Sequence, residues 1–125
     1  MAGIVQGILK LKLQPRYFNL LIEGRKVVEG RLYKPKFDLL HAGESIHFIN
    51  DSDHSQSTVA SLISFHRYNS FHDMLINEGL EKCLPGVSTI QKGVELYYTF
   101  PNYRELERRV GVIALRIKII NDDYC

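Results

Sequence analysis

The 125-residue chain has the length of one domain and can bury a single apolar core, which excludes a repeat array or a short peptide. Its apolar and charged fractions, 45% and 24%, are those of an ordinary globular protein and exclude a disordered chain. Lysine and arginine exceed aspartate and glutamate by 16 to 14, so the net charge of +2 permits a local basic patch without arguing for one.

Residues 8–13 alternate, with Leu9, Leu11 and Leu13 on one face and Lys10 and Lys12 on the other, as in a half-buried strand. Pro15 then opens a helix in which Phe18, Leu21 and Ile22 share a stripe, and Gly24 suits its left-handed stop. An extended pattern resumes from Lys26 to Tyr33 and ends at Lys34-Pro35-Lys36, because proline cannot donate to a ladder. Ser45–Asn50 and Ser57–Arg67 read as an antiparallel pair joined by the polar loop Asn50-Asp51-Ser52-Asp53-His54-Ser55. Helical spacing follows in Phe71, Met74 and Leu75, between a serine at 70 and a glycine at 79. A capping-box spacing, Ser88-x-x-Gln91, precedes Ile90, Val94 and Tyr97 at helical intervals. Asn102-x-x-Glu105 opens a charged helical turn, and Val110 to Ile120 alternates as a long strand. The expected fold is α+β, with about five or six mostly antiparallel strands and short helices inserted between them.

Cys83 and Cys125 have no C-x-x-C partner, which points to a reducing compartment. The N-terminal segment lacks a basic region followed by an apolar one, and no run approaches the ~18 apolar residues of a membrane span. A soluble intracellular protein, cytoplasmic or nuclear and without a membrane partner, is expected. The histidines at 41, 47, 54, 66 and 72 form no i, i+4 pair, so neither a metal site nor any other cofactor is expected. Residues 104–109 interleave arginine with Glu105 and Glu107 and read as a solvated, self-pairing helix. Tyr97, Tyr98, Phe100 and Tyr103 have the residue types that stack on bases, but at helical spacing they read as core.

The segments L-K-L-Q-P-R-Y-F-N-L-L-I-E-G-R-K-V-V-E-G-R-L, A-G-E-S-I-H-F, R-Y-N-S-F-H-D-M-L and R-V-G-V-I-A-L-R-I, in that order, resemble the ASCH domain, a branch of the PUA-like β-barrels. The most specific element is G-x-K-x-x-E-x-R, met by Gly24, Lys26, Glu29 and Arg31. The resemblance covers residues 1–125 as one domain and implies a small PUA-like barrel with a cleft. It also implies RNA as a partner, since the family is thought to bind RNA and occurs in proteins tied to transcription coactivation, translation and RNA processing. A similar bacterial branch hydrolyses the amide of N4-acetylcytidine with a lysine, a threonine and a downstream glutamate. Lys26 takes the place of the lysine, but Glu29 stands where the threonine is expected, with Glu78 or Glu81 as the downstream carboxylate.

Strand alternation places Val27, Glu29, Arg31 and Tyr33 on one face, with i and i+2 about 6.5–7 Å apart. A carboxylate accepting from an exocyclic amine, an arginine fork and an aromatic ring suit a nucleobase, and Lys26 is near enough to join them. Lys26, Glu29, Arg31 and Tyr33 are thus the candidate ligand site, in a cleft expected between the 15–23 helix and the loop after Tyr33. If the terminal strands are neighbours, Lys10, Lys12, Arg116 and Lys118 form a basic face for an RNA backbone. The favoured function is an RNA or modified-nucleotide binding module. The alternatives are an amidohydrolase on acylated pyrimidine nucleosides, with Lys26 as base and Glu29 orienting water, and a protein-interaction domain with a vestigial cleft.

Overall fold

A computed structural model describes residues 9–120. The elements run β1 (Leu9–Leu13), α1 (Pro15–Ile22), β2 (Val28–Leu32), a 3-10 turn (Pro35–Leu39), β3 (Ser45–Asn50) and β4 (Ser57–Tyr68), then α2 (Phe71–Glu78), α3 (Leu80–Cys83), α4 (Ile90–Tyr97), α5 (Tyr103–Val110) and β5 (Val112–Ile119). The strands form one five-stranded sheet in the order β1-β3-β4-β5-β2. The pairs β3–β4, β4–β5 and β2–β5 are antiparallel, whereas β1 lies parallel to β3. This is the expected α+β arrangement, a mixed half-barrel with five α-helices among the described residues.

Each face of the sheet carries its own core. On one face Ile46, Phe48, Leu62, Ile113 and Leu115 meet Leu11 and Leu13, and Phe18 and Leu21 of α1 plug this side together with Phe37. On the other face Val28, Leu32, Val112 and Ala114 pack against Phe71, Met74, Leu75 and Tyr97 of α2 and α4. A register shift between Leu62 and Ser64 marks a bulge that bends the twelve-residue β4, so the sheet curls toward a barrel.

Local signals act much as the sequence implies. Pro15 opens α1, Gly24 turns the chain at φ +78°, and the Ser70 hydroxyl accepts from the Asp73 amide to cap α2. At α4 the cap is Thr89 rather than Ser88: the Thr89 hydroxyl accepts from the Lys92 amide, because Thr89 is the last extended residue, at φ −140°. The β2 strand is shorter than the 26–33 pattern, leaving Lys26 before it and Tyr33 beyond it.

The terminal strands are not neighbours. Two strands, β3 and β4, separate β1 from β5, so Lys10 and Lys12 are not brought beside Arg116 and Lys118. The sheet order follows from the parallel docking of β1 on β3, which no alternating pattern announces. Among the described residues no helix is long and apolar enough to cross a membrane.

Candidate functional site

The edges of the sheet are β1 and β2, and between them lies the site. Glu29 and Arg31 leave β2 on the same face as their β5 partners Leu115 and Ile113, and so point into the gap between the two edges. Arg31 spans it. Its Nε donates to Glu29 Oε2 at 2.6 Å and its Nη2 to the Lys12 carbonyl of β1 at 2.5 Å.

Glu29 also takes a charge from the other side. Lys26 Nζ is 3.1 Å from Glu29 Oε1 and donates to the Val28 and Cys83 carbonyls at 2.7 and 2.6 Å. The Lys26 and Glu29 side chains are only 2% and 8% exposed, against 23% for Arg31. Three acceptors around one side-chain nitrogen fix Lys26 in place and engage its N–H groups, a poor arrangement for a general base. Burial raises the Glu29 carboxyl, but Lys26 and Arg31 outweigh it and hold it below its ordinary value of 4.5.

That depression has a consequence for acid stability. A carboxylate with a lowered pKa in the folded state contributes stability above its ordinary value, and the contribution is lost as the pH falls through the folded value. The urea midpoint of the wild-type chain is expected to fall steeply below about pH 4.5, and that of Glu29→Gln to fall less over the same range. Equal steepness in both proteins contradicts this source of acid sensitivity.

Above the ion chain is a cleft of about 150 Å³ whose walls are aromatic. Tyr17 of α1 forms one side, and Leu96, Tyr97, Phe100 and Tyr103 form another, with Lys12 and Asp51 at the β1 end. Phe71 backs the second wall, its ring stacked 4.0 Å from that of Tyr97 and 6.0 Å from that of Tyr103. The Tyr97 hydroxyl is buried, and it is the one such side-chain atom among the described residues without a hydrogen-bond partner. A Cβ on Gly30 would stand 3.1 Å from that hydroxyl and 2.5 Å from Met74 Cε, so the glycine lets α2 and α4 close on the strand.

The structure therefore brings together Lys26, Glu29 and Arg31 and leaves Tyr33 out. The Tyr33 hydroxyl donates to Asp38, and the Arg67 guanidinium lies 3.6 Å from its ring centroid, outside the cleft. The reason is that β2 ends at Leu32, so alternation no longer governs residue 33. The second wall comes from α4 and α5 rather than from the loop after Tyr33. Tyr97 and Tyr103 are both core and cleft wall, a double role that helical spacing cannot reveal.

The remaining candidates lie elsewhere. Glu78 accepts from Tyr68 and Arg116, and Glu81 is exposed and accepts from the Gly86 amide, so neither lines the cleft. Arg116 is correspondingly committed to Glu78 at 3.0 Å, whereas Lys10, Lys12 and Lys118 are exposed. Glu107 is buried rather than solvated, accepting from the Phe71 amide and the Tyr98 hydroxyl. Cys83, next to Lys26, has its thiol pushed up to about 12 by burial, which makes it a poor nucleophile.

A model of the ASCH domain matches residues 11–121. The chain belongs to the ASCH domain family. Among solved structures, hypothetical protein PH0355 is 33% identical, with 91% of this chain and 100% of that one covered at a TM-score of 0.78. PF0455 from Pyrococcus furiosus is 32% identical, covering 92% and 99% at a TM-score of 0.71. The ASCH protein of Zymomonas mobilis, at 17% identity and a TM-score of 0.58 over 91% of this chain and 73% of that one, shares the fold. A search of the curated proteins gives no match. The mixed half-barrel is thus the PUA-like fold of an ASCH domain, with the G-x-K-x-x-E-x-R residues gathered at the open seam of its sheet.

Proposed function

We propose that this ASCH domain is a non-catalytic binding module for RNA or a modified nucleotide, holding one unstacked base in the cleft above Glu29 and Arg31. The observation that carries this reading is the combination of an aromatic slot with a fixed ionic floor. A volume of about 150 Å³ is small beside the roughly 300–1,000 Å³ that encloses a drug-sized ligand, and it suits a single ring with the rest of the ligand outside. Stacking on Tyr17, Phe100 or Tyr103 supplies about 1–3 kcal/mol per base and does not depend on which base it is. Glu29 accepts from an exocyclic or ring N–H, and the unengaged N–H groups of Arg31 reach a carbonyl or phosphate oxygen. The unpartnered Tyr97 hydroxyl adds a polar atom at the same floor.

Titration with cytidine, N4-acetylcytidine and a short single-stranded RNA tests the reading. Binding is expected, and Arg31→Gln is expected to weaken it at least about tenfold, the loss of roughly one charge-assisted hydrogen bond. No binding of any of these, or equal binding by Arg31→Gln, would leave a protein-interaction domain with a vestigial cleft as the better account.

The amidohydrolase alternative draws less support from the same residues. It needs a nucleophile and a free base, whereas Lys26 is saturated and Glu78 lies outside the cleft. Incubation with N4-acetylcytidine is expected to leave the acetyl group in place. Acetate release by the wild-type protein would overturn the non-catalytic reading.

A further inference from the structure

A single-ring cleft leaves the rest of a polynucleotide to be accommodated on the surface. We propose that single-stranded RNA leaves the cleft past Arg31 and runs over a basic ribbon of Lys34, Lys36, Arg67, Arg108 and Arg109, its phosphates held by these side chains. The proposal rests on the cleft reading for its starting point and names the backbone path that goes with it.

The ribbon is assembled from three parts of the chain. Arg31 stands at the cleft, and β2 carries the chain out of it to Lys34 and Lys36. Arg67, at the end of β4, lies over the Tyr33 ring and donates through Nη2 to the Val110 carbonyl at 3.2 Å. It is thereby fixed between the end of β2 and the last turn of α5. There an open polar groove of about 730 Å³ is lined by Arg67, Arg108 and Arg109, with Asn69 and Asn77.

All five ribbon cations are exposed, and among the described residues none of them is in an ion pair with a carboxylate. The acids nearby are Asp38, which accepts from the Tyr33 hydroxyl, the buried Glu107, which accepts from Tyr98 and the Phe71 amide, and Asp73, 3.8 Å from His72 Nδ1; they keep their charge, but the five ribbon cations outnumber them. Lys36 is lowered by partial burial and by the charges of Lys34 and Arg31, so these cations are close enough to repel one another. A phosphate between them relieves that repulsion.

RNA fits this surface better than an acidic peptide, because the ribbon begins at an aromatic slot that a peptide carboxylate does not fill. The cations also lie together, whereas Lys10 and Lys118 are separated by two strands.

The test compares Lys34→Gln/Lys36→Gln and Arg108→Gln/Arg109→Gln with the control Lys10→Gln/Lys118→Gln, all exposed positions. The probes are an unstructured oligouridylate of about ten nucleotides, cytidine, and an acidic peptide. Both ribbon variants are expected to bind the RNA more weakly, with a salt slope reduced by about 0.7 for each phosphate no longer held, while cytidine binding stays at the wild-type level. The control is expected to keep the wild-type slope. A wild-type slope in both ribbon variants overturns the proposal, and so does a reduced slope in the control alone or binding of the peptide in place of RNA. If cytidine does not bind but the ribbon variants still lose RNA slope, the ribbon stands and the cleft reading fails.

Discussion

Lys26→Ala is expected to cost the domain about 3–5 kcal/mol, because it removes one member of a buried ion pair and leaves the other behind. The Val28 and Cys83 carbonyls lose their shared donor, and Glu29 keeps only Arg31 in a place with 8% exposure. Those carbonyls belong to β2 and to α3, so the ammonium also ties the strand to the helix region behind it. Urea denaturation followed by circular dichroism measures the loss. A change below about 1 kcal/mol, the size of an exposed pair, contradicts this account of the motif.

Phe71→Ala is expected to cost a similar amount, about 3–5 kcal/mol, through the cavity it leaves. The ring is 0% exposed and stacks on both Tyr97 and Tyr103. Because those two rings form one wall of the cleft, the same substitution is expected to weaken ligand binding under conditions where the variant remains folded. Phe71→Leu keeps most of the volume and is expected to retain more stability than Phe71→Ala, while still losing the stacked surface. Wild-type ligand affinity in folded Phe71→Ala contradicts the assigned role of this wall.

The part of the site written in one short stretch is legible from the residues themselves. Glu29 and Arg31 are two apart on a strand, so alternation alone puts them on one face, and Lys26 follows the Gly24 turn closely enough to reach them. The strand Ser45–Asn50 is equally legible, since its burial alternates, whereas residues 112–115 of the last strand are buried in succession because both faces of the sheet carry a core there. What is not legible depends on distant pairing. Nothing near Leu9–Leu13 says that the strand runs parallel to β3, and without that fact Lys10 and Lys12 cannot be placed relative to Arg116 and Lys118. Tyr97, Phe100 and Tyr103 reach the cleft because α4 and α5 return to the β2 edge some seventy residues later, a packing choice that helical periodicity does not encode. Glu107 carries the same lesson, since its charged neighbours suggest solvent while its carboxylate is buried against the start of α2.

The most direct test of the central claim, that the cleft above Glu29 and Arg31 receives a base, is an amide and side-chain NMR titration of the protein with cytidine and with a short single-stranded RNA. Cytidine is expected to shift resonances of Gly30, Arg31, Tyr97, Thr99 and Phe100, all of which line the cleft, and RNA to shift these as well. Shifts confined to other surfaces, such as the exposed Ile63 and Phe65 of β4, or no shifts at all, would contradict it.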